Sequence, residues 1–180
     1  MIRVITGKAK GKKLISPKHG TRPLTDRIKT SIFDLIKNSV PGANVLDLYA
    51  GSGSFGIEAL SRGSNSATFV DISQEAINCI KNNLSNTRFV DQAKVFKLHV
   101  NDFITTTSER FDIIFLDPPF NDKTTPDFTK LAKILNPGQL LIFRTIQNRK
   151  IDFTKIPLNN IYQKIYGKSK LIFFQQICVS

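Results

Sequence analysis

The sequence predicts a doubly wound α/β fold, with a mostly parallel seven-stranded sheet that ends in an antiparallel hairpin. Three observations support this prediction. Short apolar runs alternate with helical patterns from Val45 onward. The glycine-rich turn "AGSGSFG" (residues 50–56) follows the first apolar run, at the place where open α/β sheets bind their ligands. The last two β-rich runs flank Gly167 without an intervening helix, which is typical of a hairpin at a sheet edge.

The elements can be assigned in chain order. A first helix is predicted in residues 23–39, with Thr25 as its N-cap and apolar positions at Ile28, Ile32, Leu35 and Ile36. Strands are then predicted at residues 44–50, 67–71, 94–100, 111–117 and 139–145, the last of them after a Pro137-Gly138 turn. Helices are predicted after the glycine turn and at residues 73–86 and 126–135. Because apolar strands separated by helices are buried on both faces, we expect a parallel sheet covered on both sides.

Length and composition fit one domain with a basic extension. The 180 residues are 41% apolar, and we expect the extension with its helix at residues 1–40 and the main domain at residues 41–180. No stretch of about 18 residues is apolar and no signal-peptide pattern is present, so we expect a cytoplasmic protein without membrane contact. Cys79 and Cys178 lie far apart and no histidines cluster, so neither a disulfide framework nor a metal site is predicted.

The positive charge is concentrated near the N-terminus. The net charge is +12, and residues 1–30 contain nine Lys or Arg but only one acid, Asp26. The segment "GKAKGKKLISPKHGTR" (residues 7–22) has little apolar content, which suits a chain that follows a phosphate backbone and is poor for building a core. The alternative is a basic face that is merely solvated, and we favour that interpretation for the scattered C-terminal lysines.

Three acids around the glycine turn indicate a ligand that contains adenosine. Asp71, at the end of the second strand and 20 residues after Gly51, is placed to bind both ribose hydroxyls. Asp102, interpreted as the end of the third strand, can accept a hydrogen bond from an adenine amino group. Asp47 lies inside "VLDLYAGSG", where an acid would repel a pyrophosphate. S-adenosylmethionine, which has a positive end, therefore fits better than NAD.

Each of these features also has a purely structural alternative. Glycines at a strand-to-helix turn also permit tight packing, and Asp71 and Asp102 can be N-caps or turn acids. Asp47 can cap the amides of the glycine loop, a role that can coexist with cofactor binding.

The residues after the fourth strand, Asp117-Pro118-Pro119-Phe120, predict methyl transfer to an exocyclic amino group of a nucleobase. Such a nitrogen is a poor nucleophile because its lone pair is delocalised into the ring. Two acceptors, the Asp117 side chain and the Pro118 carbonyl, can hold its N–H groups and favour the positive charge that develops. The prolines keep the backbone extended without a competing N–H, and Phe120 can stack on the base. A Pro-rich turn with an incidental Phe is the alternative.

These residues resemble the motifs of the class I S-adenosylmethionine-dependent methyltransferases, and "DPPF" is similar to the (Asp/Asn)-Pro-Pro-(Tyr/Phe) motif of amino-group N-methylating enzymes. More closely, the chain resembles the RsmD family of bacterial 16S rRNA guanine-N2 methyltransferases. The segments that carry this resemblance occur in the expected order over almost the whole length: "IRVITGKAKGKKL", "RPLTDRIKTSIFDLI", "LDLYAGSGSFGIEALSRG", "DPPF" and "YGKSKLIFF". The two N-terminal segments carry the most specific patterns, because the others are shared across the wider superfamily.

The resemblance implies a Rossmann-like methyltransferase fold, S-adenosylmethionine as cofactor, and ribosomal RNA or a small-subunit assembly intermediate as partner. We expect a monomer. The cofactor contacts that the resemblance implies are Asp47, Ala50, Gly51, Ser52, Gly53, Asp71 and Asp102. The catalytic residues that it implies are Asp117, Pro118 and Phe120. The RNA contacts that it implies are Lys8, Lys10, Lys12, Lys13, Arg22, Thr25 and Arg27.

Two positions depart from the family pattern. Relatives often have a second acid two positions after the ribose acid, where this chain has Ser73, so Asp71 would act alone. Relatives also often have a Glu after the fifth strand, where this chain reads "FRTIQ" around Arg144, and we assign that region no role.

Other functions stay open on the sequence alone. A DNA adenine-N6 or cytosine-N4 methyltransferase would carry the same motif, although such enzymes generally have a sizeable target-recognition region that does not fit here. A nucleic-acid-binding module that keeps the fold without the chemistry is the alternative from another class. An NAD oxidoreductase is a weaker alternative, because no catalytic His, Tyr or Lys constellation lies beside the glycine turn.

Overall fold

The structure is a computed structural model, and it describes residues 2–18, 26–119 and 127–177. The strands in these ranges are β1 (Ile2–Arg3), β2 (Lys13–Leu14), β3 (Asn44–Leu48), β4 (Ser66–Asp71), β5 (Ala93–Lys97), β6 (Phe111–Leu116), β7 (Leu135–Ile146), β8 (Asn159–Tyr166) and β9 (Ser169–Gln175). The α-helices are α1 (Asp26–Leu35), α2 (Ser54–Ser61), α3 (Gln74–Thr87), α4 (Val100–Thr106) and α5 (Phe128–Ile134). None of the helices in these ranges is long and apolar enough to cross a membrane.

Seven strands form the central sheet, in the order β5-β4-β3-β6-β7-β9-β8. Strands β3 to β7 pair in parallel, and β9 runs antiparallel to both of its neighbours, β7 and β8. The predicted α/β fold and its C-terminal hairpin are therefore confirmed. Because β9 inserts between β7 and β8, strand β8 forms the sheet edge and its side chains are mostly exposed.

Apolar side chains on the two faces of the sheet build two cores, as the apolar strands predict. One core joins the sheet to α1, α2, α3 and the N-terminal segment, and the other joins it to α4 and α5. Phe115 belongs to the first core and stacks on Phe55 of α2, with ring centroids 4.7 Å apart. Cys79 of α3 is buried, and Cys178 lies outside the described residues.

Three local predictions are corrected. The third strand ends at Lys97, because the His99 side chain accepts a hydrogen bond from the Asn101 amide and starts helix α4 at Val100. Strand β7 begins at Leu135 rather than after the Pro137-Gly138 turn, and the turn residues form an irregularity in its pairing with β6. In α1 the side chain of Leu35 is 52% exposed, and Phe33 is buried in its place.

The basic N-terminal segment packs on the body of the protein, contrary to the expectation that it is poor for building a core. Four of its apolar side chains lie in the first core, namely Ile2, Val4, Ala9 and Leu14, whereas Ile15 is 56% exposed. Strands β1 and β2 pair antiparallel, and the amide of Val4 donates to the carbonyl of Lys12 across the hairpin. The alternation of buried and exposed residues leaves the lysine side chains on the outside. The boundary predicted at residue 40 stays a prediction.

Candidate cofactor and catalytic site

The glycine loop connects β3 to α2 through backbone conformations that favour glycine. Gly51 has φ 55° and Gly53, the N-cap of α2, has φ 73°. Tyr49, at the start of the loop, also has a positive φ of 58°, which is uncommon for a bulky residue and costs free energy. The Gly53 amide donates to the Ala50 carbonyl at 2.7 Å and closes the turn. These residues, with the buried Ser52, follow the carboxyl end of β3.

Gly56 serves a different purpose, because α2 crosses β4 very closely at this residue. A Cβ atom at Gly56 would lie 2.3 Å from the Phe69 ring of β4. The tight-packing alternative is therefore correct for this third glycine.

Asp47 is the most buried carboxylate of the site, with 1% of its surface exposed. Its Oδ2 accepts from the Gly56 amide at 2.9 Å, so the predicted cap of the glycine loop exists. Its buried Oδ1 has no hydrogen-bond partner among the described residues. Burial raises the pKa of Asp47 well above its ordinary value, and the charges of Asp117 and Asp71 add to this effect. An unpartnered buried carboxylate oxygen is a place for a cationic donor.

Asp71 ends β4 and holds two backbone amides. Its Oδ2 accepts from the Gly51 amide and its Oδ1 from the Ser73 amide, each at 2.9 Å. Each carboxylate oxygen keeps further lone pairs, so these bonds orient the group without using up its capacity. Ser73 is the predicted N-cap of α3, and its hydroxyl accepts from the Ala76 amide. The position at which the resemblance led us to expect a second acid therefore serves as a helix cap here.

Asp102 lies in the first turn of α4 and is exposed, not at the end of a strand as the sequence suggested. An acid in the first turn of a helix is favoured by the helix dipole, which gives this residue a structural role of its own. Asp102 comes after β5, which pairs in parallel with β4. It therefore follows the carboxyl end of its strand, at the same edge of the sheet as Asp71.

Asp117 comes directly after β6, and its amide donates to the Leu48 carbonyl of β3 at 3.4 Å. Its carboxylate forms a bidentate ion pair with Arg144 of β7: Nε to Oδ1 at 2.6 Å and Nη2 to Oδ2 at 2.8 Å. Both side chains are largely buried, with 15% of Asp117 and 9% of Arg144 exposed. Burial raises the pKa of Asp117, and the guanidinium of Arg144 counteracts this only in part. Pro118 is buried, and Phe120 lies outside the described residues.

The three acids Asp71, Asp47 and Asp117 thus belong to adjacent strands, β4, β3 and β6, at their carboxyl ends. Because β4, β3 and β6 pair in parallel, the three acids lie along the same edge of the sheet, and the charges of Asp117 and Asp71 both raise the pKa of Asp47. A site with this sign of charge favours a ligand with cationic groups, such as the ammonium and sulfonium of S-adenosylmethionine, over a dinucleotide.

The predicted RNA-binding lysines lie on the N-terminal hairpin. Lys8, Lys10, Lys12 and Lys13 are exposed, and so is Arg27 in the first turn of α1. Arg22 and Thr25 lie outside the described residues.

Polar residues of α2 and α3 attach this hairpin to the helices of the main sheet, and Ser61 of α2 bonds the backbone of Thr6, Lys8 and Ala9. The Glu58 carboxylate of α2 accepts from the amides of Ile5 and Thr6 at 2.7 and 3.1 Å, and pairs with Lys29 and Arg62 at 3.4 and 2.8 Å. Burial lowers the pKa of Lys29, which is 0% exposed. These contacts fix the hairpin to α2, the helix that starts at the glycine loop.

Asn83 of α3 makes the second attachment. Its Oδ1 accepts from the Ile15 amide and its Nδ2 donates to the Ile15 carbonyl, each at 2.8 Å. The same Nδ2 also donates to the Ser52 carbonyl in the glycine loop at 2.9 Å. Sequence reasoning missed Asn83 and Glu58, and it singled out Arg144 without assigning it a role. A polar or charged residue at an apolar position of a helix or strand pattern was the available signal, although it does not reveal the partner.

Comparison with known proteins assigns the family. A sequence profile described as "Conserved hypothetical protein 95" matches residues 2–175. The chain belongs to this family. The "Ribosomal RNA small subunit methyltransferase D" of Haemophilus influenzae is 36% identical over 124 residues, which are 67% of this chain and 64% of that protein. The protein of the same name from Buchnera aphidicola subsp. Baizongia pistaciae is 35% identical over 178 residues, 96% of this chain and 89% of that protein.

Solved structures agree with this assignment. The structure of yhhF from Escherichia coli superposes with a TM-score of 0.87 at 26% identity, and the match covers 98% of both chains. The resemblance to the RsmD family is therefore confirmed, while the alignment spans less than two thirds of the Haemophilus protein.

Proposed function

We propose that this protein transfers a methyl group from S-adenosylmethionine to the exocyclic N2 amine of a guanine in small-subunit ribosomal RNA. The observation that carries the proposal is the cluster of Asp117, Asp47 and Asp71 at the carboxyl ends of adjacent strands. Membership of a family with relatives named as small-subunit rRNA methyltransferases supports the substrate class. A cytoplasmic location, a monomeric state and a ribosomal assembly intermediate as substrate stay predictions.

The residues of the glycine loop and the three acids around it would hold the cofactor. Asp47 Oδ1, buried and unpartnered among the described residues, fits the cofactor's ammonium group. Asp71, oriented by two amides, would bind the ribose hydroxyls, and Asp102 the adenine amino group. The loop residues Ala50, Gly51, Ser52 and Gly53 would bring backbone close to the ligand. The cofactor supplies the methyl group as an electrophilic carbon on a sulfonium sulfur.

Asp117 and Pro118 would activate the guanine amine. The carboxylate and the Pro118 carbonyl accept the two N–H groups, so the nitrogen lone pair is freed from the ring and can attack. As the N–C bond forms and the S–C bond breaks, positive charge grows on the nitrogen, and the nearby carboxylate stabilises it. Asp117 can then take the proton or pass it to water. Phe120 would stack on the base, which contributes roughly 1–3 kcal/mol.

The basic hairpin would bind the phosphate backbone of the RNA around the target base. The side chains of Lys8, Lys10, Lys12, Lys13 and Arg27 are exposed around a hairpin that is itself anchored in the core. Each phosphate that these residues neutralise would contribute roughly 0.7–0.9 to the slope of log affinity against log salt concentration. Arg22 and Thr25 are proposed as further contacts.

The direct test is to supply small-subunit rRNA, its ribonucleoprotein particles and duplex DNA with labelled S-adenosylmethionine, and to identify the product by nuclease digestion and mass spectrometry. We expect N2-methylguanine from the ribosomal substrates only. Methylated adenine or cytosine in DNA would show a DNA methyltransferase instead. Cofactor binding by calorimetry without methylation of any substrate would favour the non-catalytic module.

Asp117→Ala tests the assignment of the catalytic acceptor. We expect methyl transfer to be lost while the affinity for S-adenosylmethionine stays nearly unchanged. Circular dichroism of the variant is needed as a control, because Arg144 is left without this carboxylate. A folded variant with near-full turnover would contradict the mechanism.

A further inference from the structure

Arg144 lies at a position where the family pattern suggests a different residue. It forms an ion pair with Asp117, the proposed acceptor of the amine hydrogens. In the parallel pairing of β6 and β7, Leu116 lies beside Phe143, so the next residues along, Asp117 and Arg144, emerge side by side. The result is a two-bond contact between a planar guanidinium and a carboxylate, at 2.6 and 2.8 Å. This fork geometry fixes both the position and the plane of the carboxylate.

The surroundings of Asp117 make such a partner necessary. Burial favours the protonated acid, and Asp47 of β3 adds a second carboxylate to the site, with Asp71 of β4 one strand further. Arg144 of β7 is the cation that the described elements place against Asp117. A protonated Asp117 would donate a hydrogen bond through one oxygen and would carry no charge to stabilise a cationic nitrogen. The chemistry of the amine therefore depends on keeping this group ionised.

The ion pair does not exhaust the acceptor capacity of Asp117. A carboxylate offers about four lone-pair sites, and Arg144 takes one on each oxygen. The remaining lone pairs point away from the guanidinium, where an amino group can approach. A pair that both orients the acceptor and leaves it room is suited to preorganise the site before the substrate arrives.

We propose that Arg144 is a positioning residue for methyl transfer, which holds the Asp117 carboxylate ionised and in the orientation that accepts the amine hydrogens. This inference rests on the proposed function. It adds a role for a position that the family resemblance left without one.

The test uses Arg144→Met, which keeps the length of the side chain without its charge, and Arg144→Lys, which keeps the charge without the fork. The first measurement is independent of catalysis: NMR titration of the Asp117 carboxyl carbon in protein labelled at aspartate. An arginine next to an aspartate lowers its pKa by about 1–3 units. We therefore expect the Asp117 titration to move up by about that amount in Arg144→Met and by less in Arg144→Lys.

The second measurement is the pH profile of methyl transfer. In Arg144→Met we expect the acid limb of kcat to move to higher pH with the Asp117 titration, and kcat to recover partly at high pH. Arg144→Lys should show a smaller displacement with a lower plateau, because charge returns without orientation. Affinity for S-adenosylmethionine should change little, since the side chain of Arg144 pairs with the proposed amine acceptor, Asp117, which is not one of the proposed cofactor contacts. A role in folding alone would lower activity equally at every pH.

The outcomes separate this inference from the proposed function. An unchanged Asp117 titration in either folded variant, or variants faster than the wild type at all pH values, would overturn the role of Arg144. The second of these results would mean that the ion pair blocks the acceptor. If Arg144→Met does not fold, Arg144→Lys decides the question by the same two measurements. A wild-type protein without methyltransferase activity would remove the proposed function, whereas the titration would still show whether Arg144 keeps Asp117 ionised.

Discussion

Replacing Asp47 with Asn tests two effects of this carboxylate: its effect on the stability of the free protein and its contribution to the affinity for S-adenosylmethionine. The side chain is almost fully buried, Oδ2 accepts from the Gly56 amide, and Oδ1 has no partner within the described part of the chain. Asn is nearly isosteric and its own Oδ1 can accept from the same amide. The substitution therefore removes the charge and keeps the cap.

The expected loss of affinity follows from the bond that Asp47 Oδ1 would make to the cofactor's ammonium group. A hydrogen bond to a charged group contributes about 1.5–3 kcal/mol. At about 1.4 kcal/mol for each factor of ten, S-adenosylmethionine should bind about ten to a hundred times more weakly to Asp47→Asn. Adenosine, which has no amino acid moiety, should lose little.

The effect on stability has a sign that depends on pH. The folded pKa of Asp47 is raised, so between the ordinary carboxyl pKa and the folded value the native state keeps a proton that the unfolded chain releases. The stability contributed by this proton is complete below the ordinary pKa and is lost as the pH rises towards the folded pKa. The Asn side chain of Asp47→Asn does not titrate, so the variant does not lose stability in this way as the pH rises. Its free energy of unfolding relative to the wild type should therefore increase with pH, by up to about 1.4 kcal/mol per unit.

Calorimetry with S-adenosylmethionine and with adenosine measures the affinities, and urea unfolding between pH 5 and pH 8 measures the stabilities. Asp91→Asn is the matched control, because it makes the same chemical change at an exposed residue. A stability difference that stays flat with pH would refute the burial argument. Equal losses for both ligands would refute the ammonium contact.

Other buried contacts give further predictions. Lys29→Met should lower the free energy of unfolding by about 3 kcal/mol because it leaves Glu58 short of a partner, and adding Glu58→Gln should restore part of it in urea titrations. Asn83→Leu should speed hydrogen exchange of the N-terminal hairpin and weaken S-adenosylmethionine binding, whereas unchanged exchange would contradict the bridge. Gly56→Ala should lower the thermal midpoint, since its Cβ would lie 2.3 Å from Phe69. Replacing Lys10, Lys12 and Lys13 with Gln should flatten the salt dependence of RNA binding, while the same change at Lys133, Lys150 and Lys155 should not.

The sequence predicts the sheet well because its strands must be buried on both faces. Residues 113–116 of β6 are apolar without interruption, and a parallel sheet between two helical layers buries such a run on both faces. The glycine turn is equally local, since φ values of 55° and 73° at Gly51 and Gly53 call for glycine whatever the rest of the chain does. Ser73 could be recognised as a cap for the same reason.

The structure of the misassigned residues is decided either by competition between a strand pattern and a helix cap or by contacts with residues distant in sequence. Residues 94–100 read as a strand, but the His99 cap ends it early, and this moved Asp102 from a strand end into a helix. The N-terminal hairpin looked too polar for a core, because its buried residues are few and separated by lysines and glycines. Its backbone polar groups are satisfied by Glu58 and Asn83, more than 50 residues away in sequence. No local pattern announces such partners.

These distant contacts change how the basic segment can act. A flexible tail would only raise the local concentration of RNA, since its charges could not fix where the target base lies. Here the hairpin shares a core with α1 and α2, and Asn83 joins its backbone to the Ser52 carbonyl of the glycine loop. The lysines are thus held at a fixed position relative to the glycine loop. They are therefore also fixed relative to Asp117, which follows β6, the neighbour of strand β3 that leads into this loop. Under the proposed function, phosphate contacts made by these lysines would determine the register of the bound RNA as well as its affinity.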